Sequence, residues 1–111
     1  VATLAPAGTA AALGIDVEPA APLDPDEAAT VLRPDEDDLD AHVAFVVKEA
    51  AYKAWSALGG PLIDFHDVRV TLDADAFGAS MPDGTVLDGR WGRAGGRTVA
   101  LCVRPAGPRD P

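Results

Sequence analysis

The chain has 111 residues, of which 48% are hydrophobic, with one cysteine and a formal net charge of −9 at pH 7. This length allows one domain with a modest core, and a single cysteine excludes an internal disulfide. The acidic balance argues against nucleic acid as a partner, because phosphate backbones are bound by clustered Lys and Arg. No run approaches the roughly 18 apolar residues of a membrane span, and no basic region precedes an apolar leader, so we expect a cytoplasmic protein outside the membrane.

The first part of the chain carries the signals of a hairpin and a short helix. Residues 1–18 are typical of two strands joined by a turn at residues 7–9. Asp24 followed by Pro25 indicates a helix start, because Asp caps the first turn and proline fits the first helical position. We therefore expect a short helix that continues to about Leu32.

A long helix is predicted next, at about residues 39–58, after an acidic stretch at residues 34–40. Glycines and a proline at residues 59–61 end it. Six apolar residues share one face of this helix and form its expected core stripe: Leu39, Val43, Val46, Ala50, Ala54 and Ala57. Three aromatic residues lie mostly on the other side: Phe45, Tyr52 and Trp55. A small sheet covers only one side of a helix, so we expect the aromatic side to be exposed and to need another partner.

The last part of the chain changes to strand periodicity. Apolar and polar residues alternate over residues 68–73, which predicts a half-buried strand. Two more strands are expected near residues 78–81 and 97–103, the second after a Gly-rich turn at residues 92–96. Residues 105–111 contain three prolines and are expected to be a disordered tail. The predicted fold is α+β, a short antiparallel β-sheet packed against one long helix.

Three carboxylates are candidates for a shared site. Asp16 and Glu18 alternate onto one face of their strand, where two uncompensated charges at that spacing repel by about 2 kcal/mol. Taken alone, this pair is also explained by a solvated strand face, and Glu49 with Lys53 by an ordinary surface pair one helical turn apart. Together the three acidic side chains supply oxygen ligands without His or Cys, the set that Mg²⁺ prefers.

Four segments resemble those of one enzyme family. Residues 13–18, Leu-Gly-Ile-Asp-Val-Glu, resemble the first metal-binding motif of the 4'-phosphopantetheinyl transferases, and residues 45–54, Phe-Val-Val-Lys-Glu-Ala-Ala-Tyr-Lys-Ala, resemble the second. Residues 62–68 resemble the strand entry after that helix, and residues 87–91 the later hairpin. The resemblance spans about residues 1–104. It is to the C-terminal half of the two-half enzymes that serve siderophore, nonribosomal peptide and polyketide synthases.

The resemblance implies a reaction and roles for five residues. The reaction is Mg²⁺-dependent transfer of 4'-phosphopantetheine from coenzyme A, as substrate, to a serine of an acyl or peptidyl carrier protein. Asp16, Glu18 and Glu49 would be the ligands of Mg²⁺, for which Mn²⁺ is expected to substitute. As catalytic residues, Glu49 would deprotonate the serine and Lys53 would stabilise the leaving phosphate. Lys53 and, less directly, Lys48 would bind the phosphates of coenzyme A.

The resemblance also implies that the chain needs a partner. Residues 1–104 would be the C-terminal subdomain, one half of a phosphopantetheinyl transferase pseudo-dimer. The sequence contains no counterpart of the N-terminal half that binds the adenine and 3'-phosphate of coenzyme A, and it begins at Val1 rather than Met. We therefore expect a missing N-terminal half, another subunit or oligomerisation to complete the enzyme. The alternative is a non-catalytic metal-binding or interaction module of the same fold.

Overall fold

Five strands form one antiparallel sheet, and a long helix covers one of its faces. The computed structural model describes residues 12–104, so the first strand of the expected hairpin and the expected tail lie outside the described residues. The elements are β1 (Ala12–Pro19), α1 (Pro25–Val31), α2 (Ala41–Ala57), β2 (Arg69–Asp73), β3 (Ala76–Ser80), β4 (Val86–Ala94) and β5 (Arg97–Arg104), with short 3₁₀ helices at Pro34–Glu36 and Phe65–Asp67. The strand order is β1-β5-β4-β3-β2, and the predicted α+β class is confirmed. No helix of residues 12–104 is long and apolar enough to cross a membrane.

The helix boundaries follow from local chemistry. Asp24 accepts a hydrogen bond from the Glu27 N–H at 2.8 Å, and Glu27 accepts one from the Asp24 N–H at 3.0 Å, so the two residues form a capping box at the start of α1. Asp40 caps α2 by accepting from the Val43 N–H at 3.1 Å. Gly59 follows α2 with φ +87°, the left-handed conformation that ends helices. Both helices were predicted within two or three residues of these ends.

Strand β4 was missed by the periodicity argument, which placed a turn at residues 92–96. The chain reverses at Gly95 and Gly96, both with positive φ, so β4 includes the first residues of that expected turn. β4 pairs with β3 on one side and β5 on the other, and its position is set by backbone pairing rather than by apolar alternation. Its Gly89 is required by packing, because a Cβ there would overlap the Phe77 ring and the Leu101 carbonyl.

The predicted core stripe of α2 is largely correct. Four of its six residues are buried against the sheet, and the two at the ends are less covered, Leu39 being half-buried and Ala57 exposed. The buried four are Val43, Val46, Ala50 and Ala54. Helix ends lie at the margin of a sheet of short strands, so the stripe is buried only along its middle.

The expectation that the aromatic side of α2 is exposed is wrong for Trp55. Trp55 is only 5% exposed, and its Nε1–H donates to the Pro61 carbonyl at 2.9 Å. Phe45 and Tyr52 are half-buried, and the Phe45 ring lies 5.8 Å from that of Phe65. The segment after α2 folds back over this side of the helix, and sequence periodicity does not predict that contact.

The apolar surface that remains partly uncovered lies on the other face of the sheet. Helix α2 packs against β1 and β5, and α1 packs against α2, so both helices occupy one side. On the outer face three aliphatic pairs, all half-buried, join β1 to β5: Leu13 with Val103, Ile15 with Leu101, and Val17 with Val99. We call this group the outer patch.

A buried ion pair connects the irregular segments to α2. The Lys48 ammonium is 1% exposed and donates to the Glu36 carboxylate at 2.6 Å, the Val31 carbonyl at 2.8 Å and the Phe65 carbonyl at 3.0 Å. Glu36, 2% exposed, also accepts from the N–H groups of Arg33 at 2.9 Å and Val70 at 2.6 Å. Burial lowers the pKa of Lys48, and Glu36 opposes that shift. With all three Nζ hydrogens bonded, the charged pair is fully satisfied.

We predict that Glu36→Gln destabilises the protein by about 3–5 kcal/mol, because it leaves the Lys48 charge buried without a counter-charge. Urea denaturation measures this loss. The matched control is Asp37→Asn, an exposed neighbour that should stay within about 0.5 kcal/mol of wild type. Equal stability of the two variants would contradict a stabilising role for the ion pair.

Candidate functional site

Strand β1 touches helix α2 at Gly14. A Cβ on Gly14 would overlap the Ala50 carbonyl oxygen and lie 2.7 Å from the Ala54 amide nitrogen. The two backbones are therefore in direct contact, which only a residue without a side chain permits. Because side chains alternate along a strand, Asp16 and Glu18 point to the same side as Gly14, toward α2.

Asp16 is held against the helix by Lys53. The Lys53 ammonium donates to Asp16 Oδ1 at 2.8 Å and to the Ile15 carbonyl at 2.9 Å. The Asp16 side chain is 6% exposed, whereas that of Lys53 is 48% exposed. Asp16 Oδ2 is buried and has no hydrogen-bond partner among the described residues. A buried carboxylate oxygen without a partner is costly, so it marks a place where a cation or a donor is missing.

Glu18 and Glu49 lie in the same electrostatic environment. The pKa of Glu18 is raised first by burial, then by the neighbouring Asp16 carboxylate and by the Glu49 charge, with Lys53 opposing. The pKa of the half-buried Glu49 is raised by burial and by the Asp16 charge, again with Lys53 opposing. Burial is the larger cause of both raised pKa values, and the Asp16 charge adds to it because the carboxylates lie close together.

The structure thus brings four of the five predicted site residues together: Asp16, Glu18, Glu49 and Lys53. Their side chains do not form a finished metal shell, because residues 12–104 contain no group of three or more His, Cys, Asp or Glu side chains placed to hold a metal ion. The ligand and catalytic roles of these residues remain predictions.

Lys48, the fifth residue, lies apart from the other four, and its surroundings do not favour the expected contact with phosphate. Its ammonium is 1% exposed, and all three of its hydrogens are bonded to protein oxygens. Neither a hydrogen nor access to solvent is left for a phosphate. Sequence reasoning missed its partner Glu36, which is one carboxylate in an acidic run; spacing alone does not distinguish it from its solvated neighbours.

A hollow of about 210 Å³ adjoins Glu49. Lys48, Glu49 and Tyr52 of α2 line one side, and residues 62–65 with Val68 line the other. Sequence reasoning also missed this hollow, since it is created by the segment that returns over α2. Its apolar side chains lie next to the half-buried Glu49, at the edge of the cluster of acidic residues.

The fold places the Asp-x-Glu motif of β1 against the Lys-Glu motif of α2. The site therefore presents acidic oxygens and one half-exposed lysine, Lys53, a combination suited to phosphate chemistry with a divalent cation. Residues 12–102 match the family model described as the 4'-phosphopantetheinyl transferase superfamily, and the chain belongs to this family. This confirms the family predicted from the motifs.

One curated relative is the 4'-phosphopantetheinyl transferase Svp from Streptomyces mobaraensis. It is 33% identical over 136 aligned positions, which cover 98% of this chain and 54% of the relative. The chain therefore spans about half the length of the curated relative it matches.

We predict that Gly14→Ala weakens the protein and separates the strand carboxylates from Lys53. The new methyl group has backbone atoms on its far side, so β1 or α2 must shift, and such overpacking costs about 1–3 kcal/mol or more. Urea denaturation and the chemical shift of the Lys53 ammonium would report both effects. Gly92→Ala on β4 is the control, because nothing lies within 4 Å of a Cβ at that position. A Gly14→Ala protein as stable as this control would refute the close contact.

Proposed function

We propose that this chain is the C-terminal half of a 4'-phosphopantetheinyl transferase. With Mg²⁺, the completed enzyme transfers 4'-phosphopantetheine from coenzyme A to a serine hydroxyl of an acyl or peptidyl carrier protein. The observation that carries the proposal is the buried Asp16 carboxylate, whose Oδ2 lacks a partner among the described residues while Glu18, Glu49 and Lys53 stand beside it. Membership of the family supports this assignment.

The donor set fits a hard divalent cation. Asp16, Glu18 and Glu49 offer only oxygen atoms, which favours Mg²⁺, with Mn²⁺ as a substitute. Burial and mutual repulsion raise the pKa of both glutamates, and a cation would relieve that repulsion. The donor chemistry therefore suits the ion, which would have to draw the three side chains closer together than they lie here. When bound, it would neutralise charge on the pyrophosphate of coenzyme A.

Glu49 and Lys53 are the residues we assign to the chemistry. Glu49 lies beside the hollow and its raised pKa suits a group that accepts the serine proton. The serine oxygen bonds to the phosphorus that carries pantetheine, the pyrophosphate bond to that phosphorus breaks, and 3',5'-ADP leaves. Lys53 uses two of its three ammonium hydrogens on Asp16 and Ile15, so the third is available to the leaving phosphate.

The outer patch supports the need for a second half. Its three aliphatic pairs are only half-buried, and the relative is nearly twice as long as the part that this chain matches. We propose that an N-terminal half or another subunit covers the outer patch and supplies the site for the adenine and 3'-phosphate. The aromatic side of α2, where Phe45 and Tyr52 are also half-buried, stays a second candidate surface for the partner.

We predict weak binding of Mg²⁺ or Mn²⁺ to the completed protein alone, and tighter binding with coenzyme A, because phosphate oxygens join the carboxylates. Calorimetry measures both constants. Asp16→Asn should abolish binding, and the exposed Asp38→Asn should not. If coenzyme A leaves the metal affinity unchanged, the metal assignment fails and the alternative of a non-catalytic interaction module is favoured.

We predict that Glu49→Gln lowers turnover by about 100-fold or more with the fold intact, because it removes both charge and basicity. Lys53→Ala should lose turnover more than metal affinity, since its target is the leaving phosphate. The assay is mass spectrometry of an apo carrier protein incubated with coenzyme A and Mg²⁺, with and without a supplied N-terminal half. Wild-type turnover in Glu49→Gln would remove the role of base.

A further inference from the structure

The segment Pro61–Phe65, which we call the strap, is fastened to α2 at both of its ends. At one end the Trp55 Nε1–H donates to the Pro61 carbonyl at 2.9 Å, and at the other the Lys48 ammonium donates to the Phe65 carbonyl at 3.0 Å. Lys48 and Trp55 are seven positions apart on the helix, which is close to two turns, so both donors project from the same side of α2.

The strap has little burial of its own to hold it in place. Leu62 is 87% exposed, and Pro61 and Asp64 are also exposed. Ile63 is half-buried against the core, and Phe65 is half-buried beside the Phe45 ring. The residues on either side of the strap are held as well, because the Gly60 N–H donates to the Trp55 carbonyl at 2.9 Å and the Arg33 guanidinium donates to the His66 carbonyl at 2.6 Å. Within the strap itself, the two side-chain hydrogen bonds from α2 are what tie its carbonyl groups to the helix.

Between its two fastenings the strap forms the far wall of the hollow beside Glu49. Leu62, Ile63 and Asp64 face Glu49 and Tyr52 across this hollow. The Lys48 fastening is rigid, because the same ammonium is bonded to Glu36 and the Val31 carbonyl in a buried setting. Movement of the strap would widen the hollow and admit water to the Glu49 carboxylate.

We propose that Lys48 and Trp55 are positioning residues, which act through the strap to hold a fixed wall opposite Glu49. This inference rests on the proposed function for its catalytic consequence. A substrate group that reaches Glu49 then enters a cleft of constant width. Lys48 then affects turnover without touching phosphate, the reverse of the role expected from the sequence.

The test begins with hydrogen exchange on this chain, which does not depend on activity. Lys48→Met and Trp55→Phe each remove one fastening and keep much of the side-chain volume. Exchange of amides in residues 62–68 should become about 10-fold faster or more in either variant, with β5 still protected. Unchanged exchange in both variants would overturn the inference.

Two control variants match these substitutions. Trp91→Phe removes an indole N–H that has no hydrogen-bond partner among the described residues, and Arg69→Met removes an exposed cation on β2. Neither should change exchange of the strap. Because Lys48→Met leaves the Glu36 carboxylate buried without its counter-charge, the double variant Glu36→Met/Lys48→Met serves where the single one fails to fold. It should show the same loosened strap.

Kinetics of the completed enzyme test the consequence. Loss of either fastening should lower kcat about 10-fold and leave KM for coenzyme A within about 2-fold, the pattern of lost positioning rather than lost substrate binding. A raised KM with unchanged kcat would instead restore a phosphate contact for Lys48 and overturn the inference. If the wild-type enzyme is active and the variants keep its kcat, only this inference fails. If wild type transfers nothing, the proposed function itself fails.

Discussion

The close contact between β1 and α2 at Gly14 is the constraint on which the site depends. A glycine on the strand meets Ala50 and Ala54 on the helix, so the two backbones approach without intervening side chains. Only at this separation does Lys53 reach both Asp16 and a strand carbonyl. Packing of small residues thus brings acidic groups from distant parts of the sequence to one point, where burial first and the neighbouring charges second raise the pKa of Glu18 and Glu49.

The two lysines of α2 differ in their surroundings because they lie on different sides of the helix. Lys48 and Lys53 are five residues apart, which turns their side chains to different sides of α2. Lys48 enters a buried setting where Glu36 and two carbonyls satisfy it completely. Lys53 remains about half exposed beside Asp16 and keeps one hydrogen for a ligand. One lysine stabilises the fold and the other belongs to the candidate site.

The sequence predicts features whose cause is local, and it misses those whose cause is a distant contact. The caps at Asp24 and Gly59 and the alternation of β2 are local signals, and the structure confirms the elements that they predict. Strand β4 is placed by its neighbours, and its glycines and charges hide the alternation. In the sequence, Glu36 resembles any surface acid. Its partner Lys48 lies 12 residues further along the chain, and only the fold brings the two side chains together. The convergence of Asp16 with Glu49 was predictable only because their motifs occur together in one family.

The outer patch lies on the back of β1, the strand whose other face carries two of the candidate site residues. Where β4 shares the outer face it carries Asp88 and Arg90, which are exposed as expected for a solvated surface, and β5 begins on this face with the exposed Arg97. The three aliphatic pairs of the outer patch therefore lie together at the edge of the sheet that ends in β1. Asp16 and Glu18 alternate with Ile15 and Val17 on that same strand, so a partner covering the patch would contact the back of the strand that presents the carboxylates.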